Sequence, residues 1–387
     1  MIFVRNLRSP TMGADNLISH VTSLYLKELL LLGGWTFISD NLDAAWATCT
    51  LVNELGGASG FQVSAANPRI VYSSAGVFTS AHVTNECSIF LRATNSENRI
   101  AARIIVYIDA NHVEVDSDSA PPDGWTDEGG VGAYIPGRII SPKAATLAVG
   151  AWVVLQAPVG NHHARILRNA TLVTRCFSRP LGKLGTATET PTAGIDITTV
   201  AVSRFVILHA VFDGDNALVY GTGKGATTEN PVMLWGTLEE AATGDSNPNF
   251  VYGGGNMAGS HPGAWPMGML DANPTPAAIS AMPASVKYYG DSMGNIYHYT
   301  IDANQAWRLQ NGKPGKYALR RPLVVLANRA TYGSGVRGRM PMIRFGNTNL
   351  ERFRPVEAAG SWLHLIYGFS VPRNGPNDPL PHIAYAT

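Results

Sequence analysis

From Trp35 onward the chain consists of short apolar runs separated by turn residues, and no helical period is sustained for long. Short apolar runs bounded by Gly, Pro, Asn and Asp are typical of β-strands. The 40 Gly and 24 Pro residues among 387 favour turns over long helices. A charged fraction of only 15%, together with 12 Phe, 14 Tyr and 8 Trp, excludes disorder across the whole chain. We therefore predict a folded, mainly β protein.

The length and the changes of pattern predict three segments. Residues 1–34 form an N-terminal arm with one helix, and residues 35–143 form a small β-domain. Residues 144–387 form a larger antiparallel domain, sandwich-like or barrel-like, with long loops. Ala241–Pro283 is rich in Gly, Pro, Asn and Met, so we predict an extended loop that is functional or packed on a partner. We expect the C-terminal tail, Asn374–Thr387, to act as a second arm.

The predicted helix covers residues 15–32. Apolar residues recur there at near-helical spacing until Gly33-Gly34 ends the pattern, namely Leu17, Val21, Leu24, Leu29 and Leu32. This helix either packs on its own domain or presents its apolar face to a neighbouring subunit, which makes Leu24 and Leu29 interface candidates. Lys27 and Glu28 interrupt the most apolar stretch of the chain, so neither a membrane span nor a signal peptide is predicted.

Two β-hairpins are predicted. In the first, Arg99–Ile108 and Val113–Asp116 flank a turn, and the first of these strands is apolar on both faces, so we expect it to be buried on both sides. In the second, Val206–Phe212 and Ala217–Tyr220 flank an Asp-Gly turn. Further strand candidates are Val77–Phe78, Ser88–Ala93, Ala151–Gln156, Ala164–Leu167, Thr171–Phe177, Val232–Leu238, Ser285–Tyr289, Ile296–Ile301, Leu323–Leu326, Met340–Phe345 and Trp362–Val371.

No motif for catalysis or cofactor binding is found. Residues 221–225 lack the first glycine and the Ser or Thr of a phosphate-binding loop, and residues 333–335 lack the spacing of a serine nucleophile elbow. The histidines occur singly or as the neighbours His162 and His163, which point to opposite faces of a strand. The three cysteines form no metal-binding pattern, and we expect them to be free. A non-enzymatic protein without a cofactor or metal is therefore expected.

Arginines cluster between residues 320 and 354, where Glu351 is the single acid among them. Such a run can form bidentate pairs with carboxylates of a partner, lie as a solvated surface, or contact nucleic acid. The formal net charge of +1 argues against nucleic acid and leaves partner contact as the favoured interpretation. The interface candidates outside the helix are Trp265, Arg337, Arg339, Arg344, Arg352, Arg354 and Trp362.

Two segments resemble structural proteins of tailed bacteriophage particles. In the first, Val77-Phe78 precedes Ser88–Arg92, then Arg103–Ile108, then Asp109-Ala110-Asn111-His112 and Val113–Asp116. This order is similar to a small β-module of such proteins, in which a buried aromatic strand precedes two apolar strands, a D-x-N turn and a V-x-V strand. Glu86-Cys87 stands where the module usually has a glycine, and Arg99 follows Asn98 where glycine is common.

The second segment is Trp362–Pro376 with the later Pro379-Leu380-Pro381. It is similar to the C-terminal ending of some phage structural proteins, with Arg373 in a position usually held by Trp. The resemblance implies a component of the tail, baseplate or neck that forms symmetric homo-oligomers and contacts other virion proteins. Its expected location is the virion, assembled in the host cytoplasm.

Two other function classes stay open. A carbohydrate-binding or receptor-binding module would use exposed aromatic rings, with Trp125, Trp265 and Trp307 as candidates. A polysaccharide depolymerase would need two carboxylates facing each other across a groove, and Asp213, Asp215 and Asp291 lie instead in turn-like contexts.

Overall fold

The computed structural model confirms a mainly β protein with antiparallel sheets. It describes residues 2–11, 16–41, 50–55, 60–93, 99–117, 119, 134–143, 146–159, 162–170, 173–180, 195–198, 206–223, 232–240, 249–256, 268–271, 323–325, 336–339, 341–342, 344–346, 355–358, 361–368 and 382–386. The chain divides into two compact units. Unit 1 comprises Met1–Arg175 and Ile197–Pro231, and unit 2 comprises Cys176–Asp196 and Val232–Thr387.

The elements up to residue 223 are two helices and fifteen strands among the described residues. The helices are α1 (Asn16–Leu32) and α2 (Ala81–Thr84). The strands are β1 (Ile2–Arg8), β2 (Thr36–Asp40), β3 (Thr50–Leu55), β4 (Phe61–Ser64), β5 (Asn67–Ser73), β6 (Ser88–Leu91), β7 (Ile100–Asp109), β8 (His112–Val115), β9 (Gly137–Ile140), β10 (Trp152–Gln156), β11 (His162–Ala170), β12 (Val173–Pro180), β13 (Ile195–Thr198), β14 (Val206–Asp213) and β15 (Asn216–Gly223).

The later strands are β16 (Val232–Thr237), β17 (Asn249–Asn256), β18 (Gly268–Asp271), β19 (Leu323–Val325), β20 (Val336–Arg339), β21 (Arg344–Gly346), β22 (Pro355–Ala358), β23 (Ser361–Gly368) and β24 (His382–Ala386). Two strands, β17 and β18, lie inside the predicted loop Ala241–Pro283. Strand β17 pairs with β16 on one side and with β18 on the other. In the predicted C-terminal arm, β24 pairs with β21 and β23. The prediction of an extended loop is therefore wrong in part, and the C-terminal segment contributes a strand to a sheet of the chain itself. The strand candidates Ser285–Tyr289 and Ile296–Ile301 lie outside the described residues.

A seven-stranded antiparallel sheet in the order β3-β9-β6-β7-β8-β5-β4 organises unit 1. One face of it carries a core that includes Phe61, Val71, Ile89, Ile104 and Val113, each fully buried. The pairing of β7 with β8 confirms the first predicted hairpin. The predicted strand at Val77–Phe78 is wrong: these residues form no strand, and the Phe78 ring still fills the core by stacking on Phe61.

Strand β9 is not predicted by the sequence, because Pro136 and Gly137 are typical of a turn. It lies between β3 and β6, and Gly137 pairs with Leu91. A Cβ atom at Gly137 would come within 2.8 Å of both the Phe61 ring and the carbonyl oxygen of Phe90. Only glycine therefore fits this crowded position in the sheet.

Helix α1 is confirmed, and its environment decides between the two interpretations of its apolar face. Leu24 and Leu29 are 1% and 0% exposed, and the helix contacts β6, β10 and β11. Both leucines are therefore wrong as interface candidates, because their side chains are already packed in unit 1. Strand β1 is paired with β14, so the N-terminal segment is part of unit 1 rather than a projecting arm.

Several polar side chains of α1 are also buried and have hydrogen-bond partners within unit 1. The Tyr25 hydroxyl lies 2.8 Å from the Ser88 hydroxyl, and His20 bridges the carbonyl of Pro142 and the N–H of Leu147. Gly34, at φ +92°, ends the helix in a left-handed conformation that glycine adopts without strain. A helix that is buried nearly all round fits the interior of a domain.

The second predicted hairpin is confirmed by the pairing of β14 with β15 in register from Val206↔Gly223 to Asp213↔Asn216. Gly214 supplies the left-handed turn residue, with φ +56°. Asp215 accepts a 2.6 Å hydrogen bond from the N–H of Val159, which assigns it a structural role. The predicted turn roles of Asp213 and Asp215 are consistent with this geometry, whereas Asp291 lies outside the described residues.

Candidate interaction surface

The C-terminal half of β7 exposes four consecutive large apolar side chains. Ile105, Val106, Tyr107 and Ile108 are 36%, 41%, 37% and 50% exposed, although Ile104 before them is fully buried. We call these four residues the β7 strip. The prediction that this strand is buried on both faces is therefore wrong for its second half.

Two β-bulges explain why the alternation of buried and exposed residues fails. The register between β7 and β8 shifts between Ile104 and Val106, and again between Tyr107 and Asp109. At each shift β7 has one more residue than its partner, which leaves Ile105 and Ile108 without a directly opposed residue. The extra residues break the period of two and turn apolar side chains outward.

A row of three residues runs along the face of β7 opposite the core. Arg103 pairs with Ser88, Val106 pairs with Glu114, and Asp109 pairs with His112. None of these six residues belongs to the core cluster, and paired residues share a face of the sheet. The row therefore has a cation at one end, a valine in the middle and an acid at the other end.

The two ends and the middle of the row are held by ion pairs. Next to Val106, Glu114 forms a 2.8 Å ion pair with Arg69 of β5. At the far end, the Nδ1 atom of His112 lies 2.9 Å from the Asp109 carboxylate, and the His112 ring packs on Tyr72 with 5.1 Å between centroids. The hydrogen bonds from His112 and from the backbone N–H of Asn111 hold the pKa of Asp109 below its ordinary value.

At the Arg103 end of the row, Glu86 has several hydrogen-bond donors and cations around its carboxylate. Its carboxylate accepts hydrogen bonds from the backbone N–H and the hydroxyl of Thr11, and it lies 3.4 Å from Arg103 and 3.6 Å from Lys143. Burial acts to raise the pKa of Glu86, but the Thr11 bonds and the two cations outweigh it and lower the pKa. Two cations facing one carboxylate leave this end of the row with net positive charge.

No group of three or more His, Cys, Asp and Glu side chains among the described residues lies close enough to hold a metal ion. His209 accepts a hydrogen bond from the N–H of Asn6 and stacks on Tyr220, which is a structural environment. Cys87 and Cys176 are free and buried, as predicted, whereas Cys49 lies outside the described residues. No helix of the described residues is long and apolar enough to cross a membrane.

The described interface candidates outside α1 belong to unit 2, whereas the β7 strip belongs to unit 1. Arg337 and Arg339 lie on β20, Arg344 on β21 and Trp362 on β23, all in unit 2. Trp265, Arg352 and Arg354 lie outside the described residues, as do Trp125 and Trp307. Sequence reasoning missed the strip, although its signal was present as five successive apolar residues, Ile104–Ile108, with no hydrophilic alternation.

Comparison with models of protein families and with curated proteins finds no match to this chain.

Proposed function

We propose that the chain is a non-enzymatic structural component of a tailed phage particle, placed in the tail, baseplate or neck, which self-associates and docks to other virion proteins. The observation that carries the proposal is the β7 strip. Four consecutive apolar side chains of one strand are half-exposed, with Val106 on the face of Glu114 and Tyr107 on the face of Val113. Exposed apolar side chains that cluster in this way mark sites of protein contact.

The hydrophobic effect gives the strip a reason to be covered. Burying apolar surface contributes about 25 cal/mol for each Å² removed from water. Strand edges and apolar strand surfaces that stay exposed invite uncontrolled association, which natural proteins avoid by charge or by cover. On the face of Val106 lie Glu114, Asp109 and His112, and Arg69 pairs with Glu114, so an apolar side chain there has charged and polar neighbours, as at the rim of a protein interface.

The resemblance of residues 77–116 to a phage β-module also supports the proposal. The aromatic residue that opens the segment, Phe78, is buried, and the two apolar strands and the V-x-V strand are β6, β7 and β8. Glu86, one of the two residues that stand where the module usually has glycine, has a φ of +52°. A left-handed conformation at this point is what a glycine would serve, so the departure in sequence leaves the geometry unchanged.

Quantitative mass spectrometry of purified particles tests the proposal. The particles are those assembled from the genome that encodes the chain, purified through two density steps, and an abundant major virion protein provides the reference. We expect several copies of the chain per particle, in a fixed ratio to the reference protein across preparations. Absence from particles, or a ratio that falls with each purification step, would overturn the proposal.

A carbohydrate-binding or receptor-binding module of the phage tail is the second candidate. The half-buried ring of Tyr72 packs on His112 at a tilt of 46°, beside the exposed carboxylate of Asp109. An aromatic ring beside an acid suits the face and hydroxyls of a sugar. Glycan-array binding by the full chain that is lost in Tyr72→Ala, and kept in the control Phe37→Ala, would favour this function. An array without signal would remove it.

A further inference from the structure

We propose that His20 is a proton-operated latch, which holds the segment between β9 and β10 closed while its imidazole is neutral and releases that segment at Leu147 when the ring takes up a proton. We call the segment the strap; its described residues are Pro142, Lys143 and 146–150. The inference concerns the conformation of unit 1 and does not depend on a role in a particle.

The hydrogen bonds of His20 fix the protonation state of its ring. The Nε2 atom lies 2.7 Å from the carbonyl oxygen of Pro142, and because a carbonyl only accepts, Nε2 carries a proton. The backbone N–H of Leu147 donates to Nδ1 over 2.8 Å, so Nδ1 carries none. The closed strap therefore fits the neutral imidazole in one tautomer. A proton added at Nδ1 would face the Leu147 donor and break that bond, whereas the bond to Pro142 is one that the imidazolium also makes.

Burial and charge both act against a proton on His20. The side chain is fully buried, and burial penalises the charged form of an imidazole. From β11, the Arg168 guanidinium donates to the hydroxyl of Ser19, the neighbour of His20, and a cation there repels a second one. Burial also lowers the pKa of Arg168, as expected where charge is poorly solvated.

Other ionisable groups of the packed elements point elsewhere or lie farther along the chain. Strands β6 and β10, which pack on α1, contain none. On β11, alternation turns His163 and Arg165 to the other face of the strand. On α1, Lys27 and Glu28 lie about two turns beyond the latch and pair with each other. Near the start of the strap, burial raises the pKa of the Cys87 thiol to about 11, so this thiol stays neutral in acid.

Two contacts limit what the latch releases. At the β9 end, Lys143 lies 3.6 Å from Glu86, and the cations and hydrogen bonds around that carboxyl lower its pKa, so the pair persists in mild acid. At the β10 end, the N–H of Gly150 donates to the carbonyl oxygen of Arg168 over 2.7 Å, and Gly150 has a φ of +94°, which glycine adopts without strain. The release therefore centres on Leu147, whose side chain is buried in the closed strap.

The coupling between opening and proton uptake sets the pH dependence. An imidazole in water takes up its proton at about pH 6.5. Because the closed strap fits the neutral ring and the opened strap leaves the ring free to ionise, the opening equilibrium should rise about tenfold for each pH unit below that value. Above about pH 7 the ring is neutral in both states, and opening should not depend on pH.

Hydrogen–deuterium exchange of the full chain tests the latch, with the amide of Leu147 resolved by overlapping peptides in mass spectrometry. Exposure times at each pH are scaled to the intrinsic rate of amide exchange, so that protection factors are compared. We expect the protection factor at Leu147 to be constant between about pH 8 and 7 and to fall about tenfold per pH unit between about pH 6 and 5. The protection of β6 is expected to stay unchanged over the same range.

Two variants assign the response to one histidine. His20→Gln keeps a donor and an acceptor but does not ionise, and it is expected to remove the pH dependence at Leu147. The matched control His112→Gln removes a half-exposed imidazole elsewhere in unit 1 and is expected to keep the wild-type response. His82 and His209 also accept backbone N–H groups at Nδ1, so His20→Gln distinguishes the latch from a general response to acid.

Each outcome decides for or against the latch. Protection at Leu147 that stays constant down to about pH 5, or a fall that persists in His20→Gln, overturns it. An equal fall in β6 also overturns it, because unit 1 then unfolds as a whole. If circular dichroism shows that His20→Gln does not fold, the wild-type profile decides: a loss of protection confined to the strap supports the latch, and a uniform loss overturns it.

Discussion

Glu28 and Glu114 provide a matched test of what holds unit 1 together. Glu28 of α1 lies 2.9 Å from Arg138 and 3.3 Å from Lys27, with its side chain 1% exposed. Glu114 lies 2.8 Å from Arg69, in a pair whose side chains are 21% and 50% exposed. The two Glu–Arg distances are nearly equal, so the pairs differ mainly in burial. We expect Glu28→Gln to destabilise the protein far more than Glu114→Gln.

The magnitude follows from the environment of each pair. At an effective dielectric constant of about 20, two unit charges 2.9 Å apart attract by about 6 kcal/mol, and most of this offsets the cost of removing them from water. Removing the anion leaves Arg138 and Lys27 buried without it, for which a loss of about 3 kcal/mol is expected. The exposed pair is expected to contribute at most about 1 kcal/mol.

Urea unfolding followed by tryptophan fluorescence measures both changes, and glutamine keeps the shape and helix propensity of glutamate. Repeating the titration in 1 M salt should remove most of the effect of Glu114→Gln, because the Debye length is then about 3 Å, while the loss in Glu28→Gln should persist. A loss below about 1 kcal/mol in Glu28→Gln, equal to that in the control, would show that burial does not decide the strength of these pairs.

Two further predictions concern the core of unit 1. Gly137→Ala is expected to lower the free energy of unfolding by about 1–3 kcal/mol, because its Cβ would meet the Phe61 ring and the Phe90 carbonyl, and thermal denaturation against the wild type checks this. Burial raises the pKa of Cys87 from 9.0 to about 11. Because the thiol of the unfolded chain ionises at the lower pH, the free energy of unfolding should fall as the pH rises between these two values. Cys87→Ala should reduce this pH dependence in urea titrations at about pH 8 to 11. An unchanged pH dependence would contradict the buried-thiol explanation.

The sequence predicted those parts of the fold that local chemistry determines. Helix α1 follows from its apolar period and terminal glycines, and the β14–β15 hairpin follows from its Asp-Gly turn. Strand β9 could not be predicted in the same way, because Pro136 and Gly137 are turn formers by composition, and only the packing of Phe61 against the sheet explains a glycine there.

The candidate surface was less predictable for a related reason. The apolar run of β7 is visible in the sequence, but whether it is buried depends on two bulges that change the register against β8. Bulges leave no clear signal in an apolar run, so the sequence alone predicts burial through the whole strand. For Lys27 and Glu28 the difference runs the other way. Charged residues in a helix are normally solvated, but both are buried here, and Glu28 also pairs with Arg138.

The proposed function requires the β7 strip to be a covered subunit interface in the assembled particle. Hydroxyl-radical footprinting compares the oxidation of Tyr107 in the isolated chain with that in purified particles, with Phe37, also exposed in the isolated chain, measured in the same samples. We expect rapid labelling of Tyr107 in the dilute chain and at least a fivefold slower rate in particles that contain it. Equal labelling of Tyr107 in the chain and in the particle would contradict the claim.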